Sequence, residues 1–338
     1  MQLSQPAVRE RLSFTRSLSP RYRDAALFIV LASLFGGSFV AIKTGLRELP
    51  PLLFAGLRFD LAAVVLLAYV AMKFPRSAWL PRTRGDMLAI AAAAVFLVLL
   101  NNGLLFLGQE TTTPAAASVM YGLNPILAPV FAWWLLGERL SRLGAIGIGV
   151  ALGGVVLIVQ PSPLTFTDGS AMGQLLVLAA AAAVALGSVV LRHVEPRMDS
   201  VPLTAWGMAT GAVLLHVASL AVGEAQQSVV SISPVTIVSL VAVAIPSTAV
   251  AYAIYFGLIE RVGPVRANLV AYVVPVFAAL IGWLLLGAIV SLWTAVGFLV
   301  VVAGFMLIER DTIRSEYCRL RRHLRDEATP DAVPPCDD

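Results

Sequence analysis

The chain has 338 residues, 59% of them hydrophobic and only 13% charged, with a formal net charge of +4. A soluble globular domain carries about 25% charged residues, so this composition, with a mean hydropathy of +0.86, excludes an ordinary soluble fold and points to a lipid bilayer. The two cysteines, Cys318 and Cys336, lie in the C-terminal tail. Their spacing fits no metal site, and no disulfide is expected in a cytoplasmic tail.

In chain order, a polar arm comes first, with Arg9, Arg11, Arg16, Arg21 and Arg23. The apolar stretch after it is too long for the core of a signal peptide and has no small-residue cleavage site, so it reads as a retained first span. A spanning helix needs about 20 mostly apolar residues. Such stretches are predicted at 25–43, 51–72, 86–108, 112–136, 143–160, 171–191, 201–222, 235–259, 264–287 and 290–309. Prolines punctuate the joints: Pro50, Pro51, Pro81, Pro161, Pro163, Pro196, Pro234 and Pro264. The last stretch, 311–338, is charged and then Pro-rich.

The basic residues test this count, because cytoplasmic loops collect Lys and Arg. With ten spans and the N-terminus inside, 21 of the 24 basic residues fall on the cytoplasmic side. Outside lie only Lys43 and Arg47, and Arg58 sits within a span. The same distribution disposes of a nucleic-acid partner, since the basic residues alternate from loop to loop instead of forming one patch.

The chain also matches itself at an offset of 150 residues, without gaps over 114–158. Pro125 meets Pro275, Trp133 meets Trp283, Gly137 meets Gly287, Ser141 meets Ser291, Gly147 meets Gly297 and Gly154 meets Gly304. Each half then has five spans, an odd number, so the second half enters the membrane upside down. Inverted repeats recur in secondary transporters, with the substrate site near the midplane between the halves.

These residues resemble the drug/metabolite transporter superfamily, in its ten-helix EamA-type branch, over about 24–310. The carriers are Phe35 to Lys43 (FGGSFVAIK), Leu57-Arg58-Phe59, Pro125, and Trp133 to Leu140 (WWLLGERL), followed by a Gly-rich fifth helix. The second copy keeps Pro275 and Leu284 to Gly287 but has Ala288 where the first has Glu138. The resemblance implies a transporter, often an exporter of amino acids or related metabolites.

The expected fold is therefore all-α integral membrane, ten transmembrane helices as two inverted five-helix repeats, with both termini cytoplasmic. Its parts are a cytoplasmic arm (1–23), a first repeat (24–160), an external linker (161–170), a second repeat (171–310) and a cytoplasmic tail (311–338). The expected place is the inner membrane, the partners the bilayer and a small molecule. The glycines of the fifth helix, Gly144, Gly147, Gly149, Gly153 and Gly154, allow close helix packing, within a repeat or between protomers of a homodimer.

Polar residues inside spans are candidate site residues, because charges there are costly and normally face a wet cavity or a partner. For substrate binding these are Asn101, Asn102, Tyr121, Asn124, Thr248, Tyr252, Asn268 and Tyr272. Pro125 frees a backbone carbonyl near Tyr121, and Pro246 and Pro275 interrupt the eighth and ninth helices. For gating or charge pairing they are Ser38, Lys43, Arg58 and Asp60. The structural alternative is that the amides bond neighbouring helices, Arg58 snorkels outward and Asp60 bonds an adjacent helix. Arg58 and Asp60, two residues apart, point to different faces and cannot simply pair. His216 is either a packed, hydrogen-bonded residue or a proton relay.

No G-x-x-x-x-G-K-[ST] loop occurs, and no triad, metal cluster or cofactor motif appears. An enzymatic reading would need His, Asp or Ser clustered near an interface, and a receptor would need a larger signalling domain. The neutral character of most candidates fits a zwitterionic or neutral substrate, because a net buried charge needs a counter-ion. The topology makes a direct prediction for single cysteines in whole cells. One at Ser170 or Gln226 reacts with an impermeant thiol reagent, and one at Ser77 or Ser141 reacts only after lysis. Labelling of Ser77→Cys in intact cells refutes the ten-span topology.

Overall fold

The computed structural model describes residues 20–310, except 163, 164, 166, 263–266, 268 and 309. The arm before residue 20, the tail from 311 with both cysteines, and Asn268 lie outside the described residues. Those residues hold helices and no strand. Besides two short turns of helix at Arg76–Trp79 and Gln226–Ser231, these are in order α1 (Pro20–Gly45), α2 (Pro51–Lys73), α3 (Arg84–Ala92, Ala93–Leu100 and Asn101–Thr111) and α4 (Pro114–Tyr121 and Asn124–Leu136). They continue with α5 (Arg142–Val159), α6 (Ser170–Val194), α7 (Ser200–Ala221), α8 (Pro234–Ala244, Ile245–Val250 and Ala251–Val262), α9 (Val270–Leu286) and α10 (Leu292–Ile308). Seven helical runs, corresponding to α1 through α7, are long and apolar enough to cross a membrane, and three apolar helices further on are shorter. Exposed Val, Leu, Met and Trp side chains cover their outer faces, as lipid requires and water does not tolerate.

The helices start and stop for local reasons that recur in both halves. Thr83 accepts from the Asp86 amide at 3.0 Å and Ser233 from the Thr236 amide at 3.3 Å, each capping a helix start. Ser141 and Ser291 do the same for α5 and the start of α10. Gly137 and Gly287 end α4 and α9 in the left-handed region, at φ 69° and 64°, where a Cβ would be strained.

Two helices change their winding. Ala93–Leu100 in α3 and Ile245–Val250 in α8 are π-helical, at positions that overlap under the 150-residue offset. The fourth run is interrupted at Gly122 and Leu123, just before Pro125, where the missing amide hydrogen removes a bond from the ladder.

Packing follows the same offset. α1 lies against α9 and α8, and α6 against α4 and α3, while α2 pairs with α7 and α5 with α10. The last pair approaches closely. A Cβ on Gly147 would stand 2.6 Å from the Gly304 carbonyl oxygen, and one on Gly154 would stand 2.8 Å from that of Gly297. Contacts that run 147 to 304 and 154 to 297 mean that α5 and α10 are antiparallel. Gly147 and Gly154 of the glycine stripe therefore join the two halves of one chain, a third arrangement beside the two expected from the sequence.

Carboxylates tie the loops together. Glu48, between α1 and α2, accepts from the Ser233 amide and the Thr236 hydroxyl, both at 2.7 Å. The Ser233 amide foremost, then the two hydroxyls, hold its pKa below the ordinary value. Glu224 accepts from the amides of Leu52 and Leu53 at the start of α2. Asp86, at the start of α3, accepts from the amides of Arg197 and Met198 between α6 and α7, at 3.0 Å each.

The glycine contact gives a paired prediction. Gly154→Leu overpacks the α5–α10 seam and costs about 1–3 kcal/mol or more, lowering the thermal unfolding midpoint in detergent. Gly153→Ala, whose Cβ meets nothing within 4 Å, gains helix propensity worth roughly 0.5–1 kcal/mol and leaves that midpoint unchanged or raised. Equal midpoints for the two variants would show that the seam does not depend on close approach.

Candidate functional site

The π turn in α3 leaves the Leu97 carbonyl accessible to side chains. Asn101 and Asn102 both donate to it through Nδ2, at 3.2 and 3.0 Å. In α8 the Thr248 hydroxyl donates to the Val243 carbonyl at 3.0 Å. These bonds fix three polar side chains at the levels where the helices change winding. π turns within α-helices are frequent at functional sites.

Arg58 of α2 joins them. One terminal nitrogen donates to Asn102 Oδ1 and the other to Thr248 Oγ1, both at 3.1 Å. Its Cζ lies 5.2 Å from the Phe59 ring centroid and 6.0 Å from that of Phe106. A charge at membrane depth costs roughly 2.5–3.5 kcal/mol. Two charge-assisted hydrogen bonds at about 1.5–3 kcal/mol each, and ring contacts of about 0.5–2 kcal/mol, offset that cost. Arg58 thus points inward and does not snorkel. It links α2 and α3 in the first half to α8 in the second.

Asp60 points the other way. Two residues further along a helix, it lies 200° around from Arg58 at about 100° per residue. Its Oδ2 stands 2.7 Å from His216 Nε2 of α7, with the Asp60 side chain 49% exposed and that of His216 30%. The pair sits on the outer side of the α2–α7 contact, where the His216 ring also covers Gly56. The sequence contained both residues, but nothing in it says that α2 and α7 are neighbours.

The remaining candidates disperse. Lys43 donates to the carbonyls of Gln109 and Glu110, at 2.8 and 2.7 Å, and so caps the end of α3 from the end of α1. The Ser38 hydroxyl bonds its own helix at Phe35. Tyr121 meets Phe39 edge-on at 6.0 Å, and Tyr272 lies on Phe305 of α10 at 4.3 Å. Asn124 is half-buried at the start of the second segment of α4. The Tyr252 side chain is outside the described residues, as is Asn268. Asn101 Oδ1 is buried and meets no donor among the described residues.

The family model of EamA-like transporters matches residues 24–160 and again 171–310. The uncharacterized inner membrane transporter YedA of Escherichia coli (strain K12) is 30% identical over 84% of this chain and 90% of its own. The probable amino-acid metabolite efflux pump of Salmonella typhimurium (strain LT2) is 27% identical over 84% of this chain and 94% of its own. The S-adenosylmethionine/S-adenosylhomocysteine transporter of Chlamydia trachomatis (serovar L2) is 29% identical over 87% and 92%. One solved crystal structure shares the fold at a TM-score of 0.59 and 21% identity, covering 87% of this chain and 98% of that one. With its apolar helices and these two family matches, the chain is a multi-pass membrane protein that belongs to the EamA-like transporter family, within the drug/metabolite transporter superfamily.

Proposed function

We propose that the protein is an inner-membrane secondary transporter that exports a small zwitterionic or neutral metabolite of the amino-acid class by alternating access between two inverted repeats. The observation that carries this reading is the Arg58 guanidinium, which bridges the repeats through Asn102 and Thr248 inside the membrane. Its planar fork suits a carboxylate. The buried Asn101 Oδ1 is an acceptor suited to an ammonium group. The names of the Salmonella and Chlamydia relatives support a metabolite of the amino-acid class.

Parity supports ten alternating spans with both termini on one side, and the excess of Lys and Arg on that side is what makes it cytoplasmic on this reading. If every run crosses the bilayer, ends on one side are separated by an even number of runs. Glu48 and Ser233 are six runs apart, Asp86 and Met198 four, Lys43 and Glu110 two, and Asp24 and Arg261 eight. The antiparallel α5–α10 pair, five positions apart, agrees. On this reading the two repeats are residues 24–160 and 171–310.

Two measurements test the function. If Arg58 clamps a carboxylate, Arg58→Lys loses at least about tenfold in transport rate in reconstituted vesicles, because Lys keeps the charge but not the fork. Wild-type flux in Arg58→Lys would sink the assignment. Asp60, bonded to His216 away from Arg58, is structural on this reading, so Asp60→Asn keeps transport. Flux with and without an imposed pH gradient, at clamped voltage, is the check. Substrate accumulation that requires the gradient and vanishes in Asp60→Asn would make Asp60 a proton carrier.

A further inference from the structure

A crevice of about 540 Å³ opens between α1, α8 and α9. It falls in the volume range of small-ligand pockets, about 300–1,000 Å³. Along α1 its wall runs from Ser33 to Arg47, about 21 Å at 1.5 Å per residue. One leaflet's share of the hydrocarbon core is about 15 Å, so a whole acyl chain fits along it. Val235, Val238 and Leu285 on its sides are largely exposed, which means the crevice faces outward from the bundle.

Its chemistry is that of an amphiphile site. The wall hydroxyls of Ser33, Thr44 and Ser247 are spent on the backbone carbonyls of Val30, Val40 and Leu34, leaving a mostly hydrocarbon surface with the Ser239 side chain on the α8 wall. Arg47 stands at the mouth, exposed, with no ion pair among the described residues. The adjacent Glu48 carboxylate is engaged by Ser233 and Thr236, and Lys43 is held by the end of α3. Arg47 is therefore the cation available at this end, beside an apolar slot as deep as a leaflet.

We propose that the crevice seats an acyl chain of a phospholipid from the outer leaflet, with the lipid phosphate on Arg47. Gly37, on the wall, provides a way to fill the slot. A Cβ there meets only Ile281 Cδ1, at 3.7 Å, whereas one on neighbouring Gly36 would strike the Val274 carbonyl at 2.8 Å.

The test uses the full chain in vesicles containing phosphatidylglycerol with a photoactivatable group on its acyl chain, and maps the cross-links by mass spectrometry. Labelling should concentrate on α1, α8 and α9 at the crevice and fall severalfold in Gly37→Leu. Arg47→Gln should lower labelling by phosphatidylglycerol severalfold but leave labelling by a matching diacylglycerol unchanged. Ala242→Leu, on the α8 wall, replaces Gly37→Leu if that variant fails to show a cooperative thermal transition. Labels spread evenly over all lipid-facing helices, or undiminished by filling the slot, overturn the site. Diacylglycerol labelling the wild-type crevice as strongly as phosphatidylglycerol overturns the phosphate assignment. None of these readouts requires transport, so the lipid site and the transport function stand or fall separately.

Discussion

In hydrocarbon nothing outside the protein can bond a backbone amide or carbonyl, and an unsatisfied one costs several kcal/mol. This chain meets that constraint with helices through most of its membrane-embedded described residues, and the departures in α3 and α8 are repaired by side chains. At the π turn of α3, Asn101 and Asn102 bond the Leu97 carbonyl. At that of α8, Thr248 bonds the Val243 carbonyl. At the loops, Glu48, Asp86 and Glu224 take up the amides of helix starts and turns that belong to the opposite half. The polar groups near the centre are thus first of all repairs of local helix geometry. Arg58 then uses the oxygen atoms those repairs leave exposed.

Packing and chemistry obey different symmetry. Under the 150-residue offset the caps Thr83 and Ser233 correspond, as do the stops Gly137 and Gly287 and the glycines of α5 and α10. The polar centre does not repeat. Arg58 corresponds to Met208, Asn102 to Tyr252, Thr248 to Val98, Asp60 to Thr210 and His216 to Leu66. A two-fold scaffold tolerates such divergence because close packing constrains both halves equally at the shared seam, whereas a ligand needs only one set of polar groups.

What could be read in the sequence was one-dimensional. Apolar run length, the alternation of basic loops and the 150-residue offset need no knowledge of neighbours, and the helices observed lie close to the predicted spans. Partner choice was not legible. Asp60 and His216 were separate residues until the α2–α7 contact brought them to 2.7 Å. Arg58, Asn102 and Thr248 were all candidates, but in different roles. Ser38 looked like a gating residue because it is polar and in a span, yet its hydroxyl is satisfied within its own helix. The π turn of α3 escaped because a change in hydrogen-bond register leaves composition and periodicity almost untouched, whereas that of α8 falls at Pro246, where the sequence marked an interruption. The glycine seam was within reach, since Gly147 and Gly154 each have an equivalent in the repeat. Equivalent small residues on helices of opposite direction are what a self-complementary contact requires.

The Arg58 bridge also bears on how binding and movement are coupled in the proposed cycle. A ligand shifts a conformational equilibrium only by its differential affinity for the two states. The guanidinium holds Thr248 of α8 and Asn102 of α3 together, so it ties one half of the chain to the other. A substrate carboxylate that takes over the donor to Thr248 replaces an inter-repeat bond with a ligand bond. The exchange is nearly neutral for Arg58, because one charge-assisted bond is made as another is lost. For the α2–α8 contact it is not neutral, since Thr248 keeps only its bond to Val243. The substrate would then weaken the seam at the place where it binds, leaving the glycine-packed α5–α10 pair as the side about which the halves can rock.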